Sequence, residues 1–416
     1  TDIAITACTL ALVYHFRANR EAPWLRRVGW PALWFAAAVL AKASGLVFGP
    51  LCMAVVEAER LLRAPAAPGQ PPTPFSLTRF LARLPWRDFV QIGGLGLVLV
   101  FLYCGTDWQP QPSFVAWAHK LPDGPYARNM VWLSEHLCIF SNAGEGLARQ
   151  VKHNIHGHGV YLLGMTDSRA LWYYFPVLLS IKLSLPLLLL PLVVLLARPR
   201  ALLNWACLAG LALLVFSLTC RVQIGVRLVL PLVPLAAAGL AAAVVEACRR
   251  MGPGWRTRLL TGWVVAGLLG TVTAAARVWP EGLCYVNEAW GGTRQGYQCV
   301  SDANYDWGQG LKELARWQRR HAKAPLDVWY FGQDPSVERL PMRNLLVHGL
   351  RLRRPDDLLG AVRGHYLAVS TTFLYGMVCD TPAHDRASAF LRTRRPAART
   401  ATFLIFDFTH ESENPG

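Results

Sequence analysis

Five ionisable side chains lie within or at the edge of apolar stretches: Asp2, Lys42, Lys182, Arg221 and Arg227. Charge in such a setting is costly, and function is the default reason for keeping it. One acid with four cations fits a site for an anionic substrate carried in a membrane. A lipid phosphate fits best, because guanidinium and ammonium groups pair strongly with phosphate oxygens. Asp2 could then act as general base toward a hydroxyl or amine acceptor. The competing reading is that Lys and Arg near helix ends reach out to the headgroups. That reading fits Lys182 least, since Lys182 lies well inside the apolar run Leu171–Ala197.

A second group of candidates follows. His153, His156 and His158 fall within six residues, ahead of Tyr161 and the aromatic cluster Trp172-Tyr-Tyr-Phe175. Imidazole is a common metal ligand. The spacing matches no zinc pattern and the ligand set is incomplete, so no metal is assigned and a divalent ion stays open. The simpler reading is a Gly-rich turn whose histidines face water or substrate. In Ser301–Gln309, Asp306 is a candidate N-cap for a helix over Trp307–His321, and a helix start there would favour a nearby anion. Asn287-Glu288-Ala-Trp-Gly291-Gly292 reads as a turn. Cys284 and Cys299 are candidates for a disulfide, with Cys104, Cys138 and Cys379 leaving the pairing open.

The elements that must position these residues are mostly membrane helices. Of 416 residues, 53% are hydrophobic and 16% are charged, and the formal net charge is +16. Soluble domains carry about 25% charged residues. Disorder and a small disulfide scaffold are excluded. Uncharged runs long enough, or nearly so, to cross a bilayer are Phe89–Thr106, Ala201–Cys220, Leu228–Val245 and Leu259–Ala276. Leu171–Ala197 is another, interrupted by Lys182, and Ile3–Tyr14 is apolar at the start. The start does not read as a signal peptide with a basic segment and a cleavage site, and the chain is expected to begin inside a longer protein.

Val28–Val56 is too long for one ordinary span. Read as a hairpin, Val28–Ala41 out and Ser44–Val56 back, it puts four Arg-rich loops on one side, as the positive-inside rule requires. Those loops hold Arg17, Arg20, Arg26 and Arg27; Arg60, Arg63, Arg79, Arg83 and Arg87; Arg198 and Arg200; and Arg249, Arg250, Arg256 and Arg258. Lys42 becomes the outer tip. The basic surplus is then mostly a topology signal, and a nucleic-acid partner is excluded: no basic face with interleaved aromatics exists. Ala64–Pro74 reads as a flexible inner loop.

The expected fold is mainly α: a polytopic membrane helix bundle of about eight segments over residues 1–279, with an outer loop over 107–170. A small C-terminal α/β domain follows on the outer side over 280–416. It has strand-like runs at Asp327–Phe331, Tyr366–Thr371 and Thr402–Phe408.

The run Asn304-Tyr-Asp-Trp-Gly-Gln309, after Asn287-Glu-Ala-Trp-Gly-Gly292, resembles the tail of bacterial membrane glycosyltransferases of family 39. These are relatives of the dolichyl-phosphate-mannose protein mannosyltransferases and the lipid A aminoarabinose transferases. Other landmarks agree in order. They are Thr1-Asp2 opening a span, Ala41-Lys42-Ala-Ser-Gly45 at a hairpin, and Gly157-His158-Gly-Val-Tyr-Leu-Leu-Gly164 before Trp172-Tyr-Tyr-Phe-Pro176. Lys182-Leu-Ser-Leu-Pro186 and Arg227-Leu-Val-Leu-Pro-Leu-Val-Pro234 complete the set. The likeness covers nearly all of the chain up to about Phe331.

The resemblance implies a GT-C fold with an outer-side active site. It implies transfer of a sugar from a polyprenyl-phosphate carrier to a protein, lipid or glycan acceptor, usually with inversion. In that family an acid in the first outer loop serves as base and a second acid opens a later span. Asp2 matches the second position. The first outer loop and its acid are absent here, so the chain is expected to be an N-terminally truncated fragment, inactive alone. Lys42, Lys182, Arg221 and Arg227 become candidates for the carrier phosphate. His156, His158 and Tyr161 become candidates for the sugar or acceptor pocket. Asn287, Glu288, Asn304, Asp306, Trp307 and Gln309 form the structural motif. The implied location is the bacterial inner membrane, multi-pass, with the C-terminal domain in the periplasm or outside.

The alternative is a transporter or flippase whose buried cations form an anion path. It would call for an inverted repeat, which the sequence does not display, and would have no use for the α/β tail. A third reading is a structural membrane subunit.

Overall fold

The computed structural model describes residues 1–63, 77–138, 141–321, 324–347, 350, 352, 354, 357–376 and 381–410. The stretch Ala64–Pro74 and Cys379 lie outside the described residues. The chain opens with α1 (Asp2–Ala18), α2 (Trp30–Ala41), α3 (Gly45–Arg63), α4 (Leu77–Arg83) and α5 (Trp86–Cys104). Three helices follow, α6 (Pro112–Ala118), α7 (Pro125–His136) and α8 (Ser141–His156), then a hairpin of β1 (Val160–Leu162) and β2 (Met165–Asp167). Next come α9 (Tyr174–Lys182), α10 (Leu185–Ala197), α11 (Trp205–Ser217), α12 (Leu232–Met251) and α13 (Trp255–Val278). The tail holds α14 (Leu311–His321), β3 (Leu326–Trp329), β4 (Arg343–Asn344), α15 (Asp357–Val362), β5 (Tyr366–Ser370) and α16 (Thr371–Tyr375). It ends with α17 (Pro382–Thr393), β6 (Ala398–Arg399) and β7 (Phe403–Asp407).

The protein is mainly helical, and α5, α12 and α13 are long and apolar enough to cross a membrane. A fourth span results if α9 and α10 count as one broken crossing. Along α13, Leu259, Val265, Leu268, Leu269 and Val272 are exposed, and a contiguous apolar surface of this kind marks a membrane or partner contact.

The residues group into two compact units. One comprises Thr1–His156, Leu190–Arg221 and Arg227–Gly262; the other comprises Gly157–Leu189, Val222–Val226 and Trp263–Gly416. The division is thus not a single cut near residue 279. The hairpin β1–β2 and α9 belong with the tail, because tail residues bond directly to them, as described below.

In the first unit, Leu12, Val13 and Phe16 of α1 are buried, as are Phe35 and Ala38 of α2, Phe48 and Cys52 of α3 and Ile92 of α5. The chain doubles back between α2 and α3, at the place expected for the hairpin. In one continuous helix, residues 38 and 45 would lie about 10 Å apart. Instead, a Cβ on Gly45 would stand 2.6 Å from the Ala38 carbonyl carbon. Only glycine permits that approach.

In the second unit, five strands run in the order β4-β3-β5-β7-β6. β4, β3 and β5 are parallel, and β7 lies antiparallel to β5. Side chains alternate between the two faces. Val328, Ala368, Phe403 and Ile405 pack with Leu311 and Leu314 of α14. Trp329, Leu367, Val369 and Leu404 pack with Leu358 of α15 and Leu391 of α17. Helices thus cover both faces of the sheet, as parallel strands demand. The three expected strand runs match β3, β5 and β7. The two-residue strands β4 and β6 carry too little pattern to be read in advance.

Leu171–Ala197 is not one straight span. It breaks between α9 and α10 with a bend of 108°. Pro186 explains the position: in a continuous helix its ring would clash with the Lys182 carbonyl and leave that carbonyl without its donor.

Candidate functional site

Asp2 and Lys42 meet in the first unit. Asp2 is the first residue of α1, where a helix N-terminus favours an acid. Lys42 ends α2 in an extended conformation at the reversal. Its Nζ lies 2.5 Å from Asp2 Oδ1, and the two side chains keep 23% and 20% of their surface accessible. An ammonium has three donors, and Asp2 takes one. The pair therefore combines a carboxylate able to accept a proton with a cation able to accept an anion, held at one point.

The other first-unit candidates do different work. Arg221 is exposed, and its guanidinium donates to the Ile155 carbonyl at 3.3 Å while its backbone N–H donates to Asn154 Oδ1. Its role here is to hold the end of α8. Arg227 is half-buried in the short turn Val226–Val229 before α12. His156 is exposed at the end of α8, with Nδ1 2.8 Å from the Lys152 carbonyl. An open cavity of about 310 Å³ is lined by His119, Asp123, Arg128, Trp132 and Glu135 among others, within the size range of small-molecule sites.

Several arginines read as topology signals also have partners. Glu57 is fully buried and meets Arg20 at 3.0 Å and Arg60 at 2.9 Å. Arg20 also meets Asp88 at 2.9 Å, and Arg27 meets Asp88 at 3.5 Å. Glu59, buried as well, meets Arg63 at 3.0 Å and Arg17 at 3.6 Å. The sequence reading missed these three acids. Glu57 and Glu59 near the end of one apolar run, and Asp88 at the start of another, were the available signal.

In the second unit, Lys182 departs from the expected phosphate ligand. Its Nζ donates to the carbonyls of Leu283 (2.7 Å), Tyr285 (2.5 Å) and Asn304 (2.8 Å). All three donors are used, so the ammonium clamps tail backbone to the end of α9. Asn287 complements it. A helix end leaves carbonyls without partners, and where they are buried those carbonyls must be satisfied. Asn287 is fully buried; its Nδ2 donates to the Ser180 and Leu183 carbonyls and its backbone N–H to that of Ile181. The broken helix is thus capped by the turn Asn287–Gly292. Glu288, next to it, is exposed.

Asn304 ties three segments. Its Oδ1 accepts from the Val226 N–H, its Nδ2 donates to the Tyr174 hydroxyl, and its carbonyl takes Lys182. Tyr161 donates its hydroxyl to the Gln298 carbonyl at 2.8 Å. It lines a cavity with Tyr174, Gln223, Ser301 and Asp302 of only about 10 Å³, room for about one water. That cavity is far smaller than a sugar. His158 turns Nδ1 to the Gly159 carbonyl, and its backbone N–H bonds the Arg169 carbonyl.

Asp306 is not an N-cap. α14 begins at Leu311, later than the expected Trp307. The carboxylate instead enters the carboxyl ends of β3 and β5. It accepts from the Gly308 N–H (3.0 Å), Thr371 Oγ1 (3.3 Å) and the Thr372 N–H (3.4 Å). Burial raises its pKa to about 6, against the opposing pull of these hydrogen bonds. Gly308 holds φ +84°, and a Cβ there would stand 2.4 Å from Gly332 Cα. The side chain of Gln309 closes the turn from the Trp307 N–H to the Tyr305 carbonyl, and Trp307 packs edge-on to Phe331. These residues form a structural weld.

Among the described residues no group of three or more His, Cys, Asp or Glu is disposed to hold a metal ion. Cys284 and Cys299 are free thiols, not a disulfide. Cys284 donates to the Tyr305 carbonyl and Cys299 to that of Trp290. Burial pushes the Cys284 thiol up to about 12. No family model matches the chain, and no curated protein or solved structure is significantly similar to it.

Proposed function

We propose that this chain is the membrane portion of a glycosyltransferase that moves a sugar from a polyprenyl-phosphate carrier to an extracytoplasmic acceptor. The reading takes the eight apolar segments as a GT-C-type bundle in a bacterial inner membrane, with the α/β tail outside. It rests on the Asp2–Lys42 pair. Two residues 40 positions apart in sequence share a hydrogen bond at the mouth of an apolar helix pair, and both stay accessible. A lysine at that depth suits a lipid phosphate, and a phosphate held by a cation leaves readily. The adjacent carboxylate takes the proton of the attacking hydroxyl. The ordered landmarks of the family 39 resemblance support sugar transfer from a polyprenyl phosphate, with Asp2 at the position of that family's second acid; its role as base is read from the pair's geometry. Lys182 is assigned to structure in this reading, which leaves Lys42 as the carrier-phosphate ligand best placed beside the base. Arg227 remains a candidate.

The test is direct. Protein containing this chain, in native membranes, is supplied with defined polyprenyl-phosphate sugars, and release of the polyprenyl phosphate is followed. One carrier phosphate should appear per sugar transferred. Absence of release from every donor, with intact protein present, overturns the assignment.

A further inference from the structure

The helix α8 carries a pattern that sugar transfer does not use. Leu147, Val151 and Ile155 recur every four residues and so lie along one face; all three are exposed, at 41, 50 and 52%. On a helical wheel Arg149, His153 and His156 fall on the opposite side and Lys152 on the flank beside Ile155, and all four are exposed. Glu145 on that side is tied to Ser113 and Arg149.

Both ends of α8 are fixed to the ends of apolar helices. At its start, Asn142 Nδ2 donates to the Cys104 carbonyl, the last residue of α5, at 3.0 Å. Thr106 Oγ1 reinforces this by donating to the Cys138 carbonyl at 2.8 Å. At its finish, Arg221, just beyond α11, bonds Asn154 and Ile155. The 16 residues of α8 measure about 24 Å. α5 is one of the helices able to cross a membrane, so its end marks a bilayer surface. A helix pinned to that point and to the end of a second apolar helix runs along the surface. Trp108, also exposed, lies just past the end of α5, as interfacial aromatics do.

We propose that α8 lies in the phospholipid headgroup layer, with Leu147, Val151 and Ile155 in the acyl boundary and its basic side toward anionic headgroups. The amphipathic pattern and the basic polar face are those of interfacial helices. The assignment rests on the membrane reading of α5 and not on the sugar-transfer reading.

The test introduces the photo-crosslinker benzoylphenylalanine singly at positions 147, 151, 155, 149, 153 and, on α5, 98. The protein is reconstituted in vesicles of phosphatidylethanolamine and phosphatidylglycerol. Phospholipid adducts should form at 147, 151 and 155, at roughly five-fold or more the yield at 149 and 153, and also at 98. Adducts at 98 with none on the α8 stripe overturn the proposal and leave α5 in the membrane. Adducts of the stripe to protein, including a second copy of the chain, overturn it likewise. No lipid adduct at 98 removes the membrane reading of α5, and the proposal with it.

Discussion

The two ends of α1 are separated by roughly 22 Å of helix, and the charges there are arranged in opposite ways. At the Asp2 end, one carboxylate meets one ammonium, and about a fifth of each side chain stays accessible (20% and 23%). At the Arg17 end, Glu57, Glu59 and Asp88 are almost wholly buried and share five arginines. Both ends pair acids with basic side chains, one lysine at the first and five arginines at the second. The number of partners and the access differ, and these decide whether a charge is free to react. A carboxylate crossed by two guanidinium groups has its oxygens committed. One that shares a single oxygen with a single lysine can still take a proton.

The largest stability effect should come from the closed end. Glu57→Ala removes one of the two buried partners of Arg20 and the partner of the half-exposed Arg60, which costs about 3 kcal/mol, the low end for a broken buried pair. The yield of folded protein after detergent extraction should fall steeply. An unchanged yield would mean that the closed end does not hold the bundle.

A second effect separates the tail from both ends. The pKa of Asp306 is raised from 3.8 to about 6 by burial, so the folded state binds its proton more tightly than the unfolded state. Its contribution to stability is full below about pH 4 and is lost as pH rises through about 6. The loss is on the order of 3 kcal/mol. Thermal unfolding of the tail should show this decline, and Asp306→Asn should flatten it. A decline that persists in the variant belongs to another group.

Asn287→Ala should come next, at about 1–3 kcal/mol. It strips the Ser180 and Leu183 carbonyls of their donor, and limited proteolysis near the α9–α10 break should report it. Lys42→Met should cost least, under about 1 kcal/mol, because the pair is partly solvated. Equal losses of stability for Lys42→Met and Glu57→Ala would erase the contrast between the two ends.

Much of this was legible in the residues, and the misses have physical causes. The hairpin at Lys42 followed from the arrangement of arginines, since one face of a membrane selects them. Three strand runs followed from β-branched and aromatic residues. The roles of Lys182 and Asp306 were not legible. Their partners are backbone carbonyls and N–H groups, which every residue carries, so nothing in the sequence marks them. Pro186 did mark the broken helix, but the uninterrupted leucines around it masked the signal. The acids Glu57, Glu59 and Asp88 were visible yet ambiguous, because a span end is also where solvated charge belongs. Near the end of α8 the histidines 153, 156 and 158 are the conspicuous residues, while the Leu147-Val151-Ile155 stripe within the helix is the more regular pattern.

The proposed reactivity lies at the open end, and one assay addresses it most directly. Sugar transfer per folded molecule is compared between the unaltered protein and Asp2→Asn, in the same membranes and with the same polyprenyl-phosphate donor. Loss of a general base predicts a fall of about 10²–10⁴-fold in turnover with the folded yield unchanged. Turnover equal to that of the unaltered protein would contradict the account and reduce the Asp2–Lys42 pair to a structural contact.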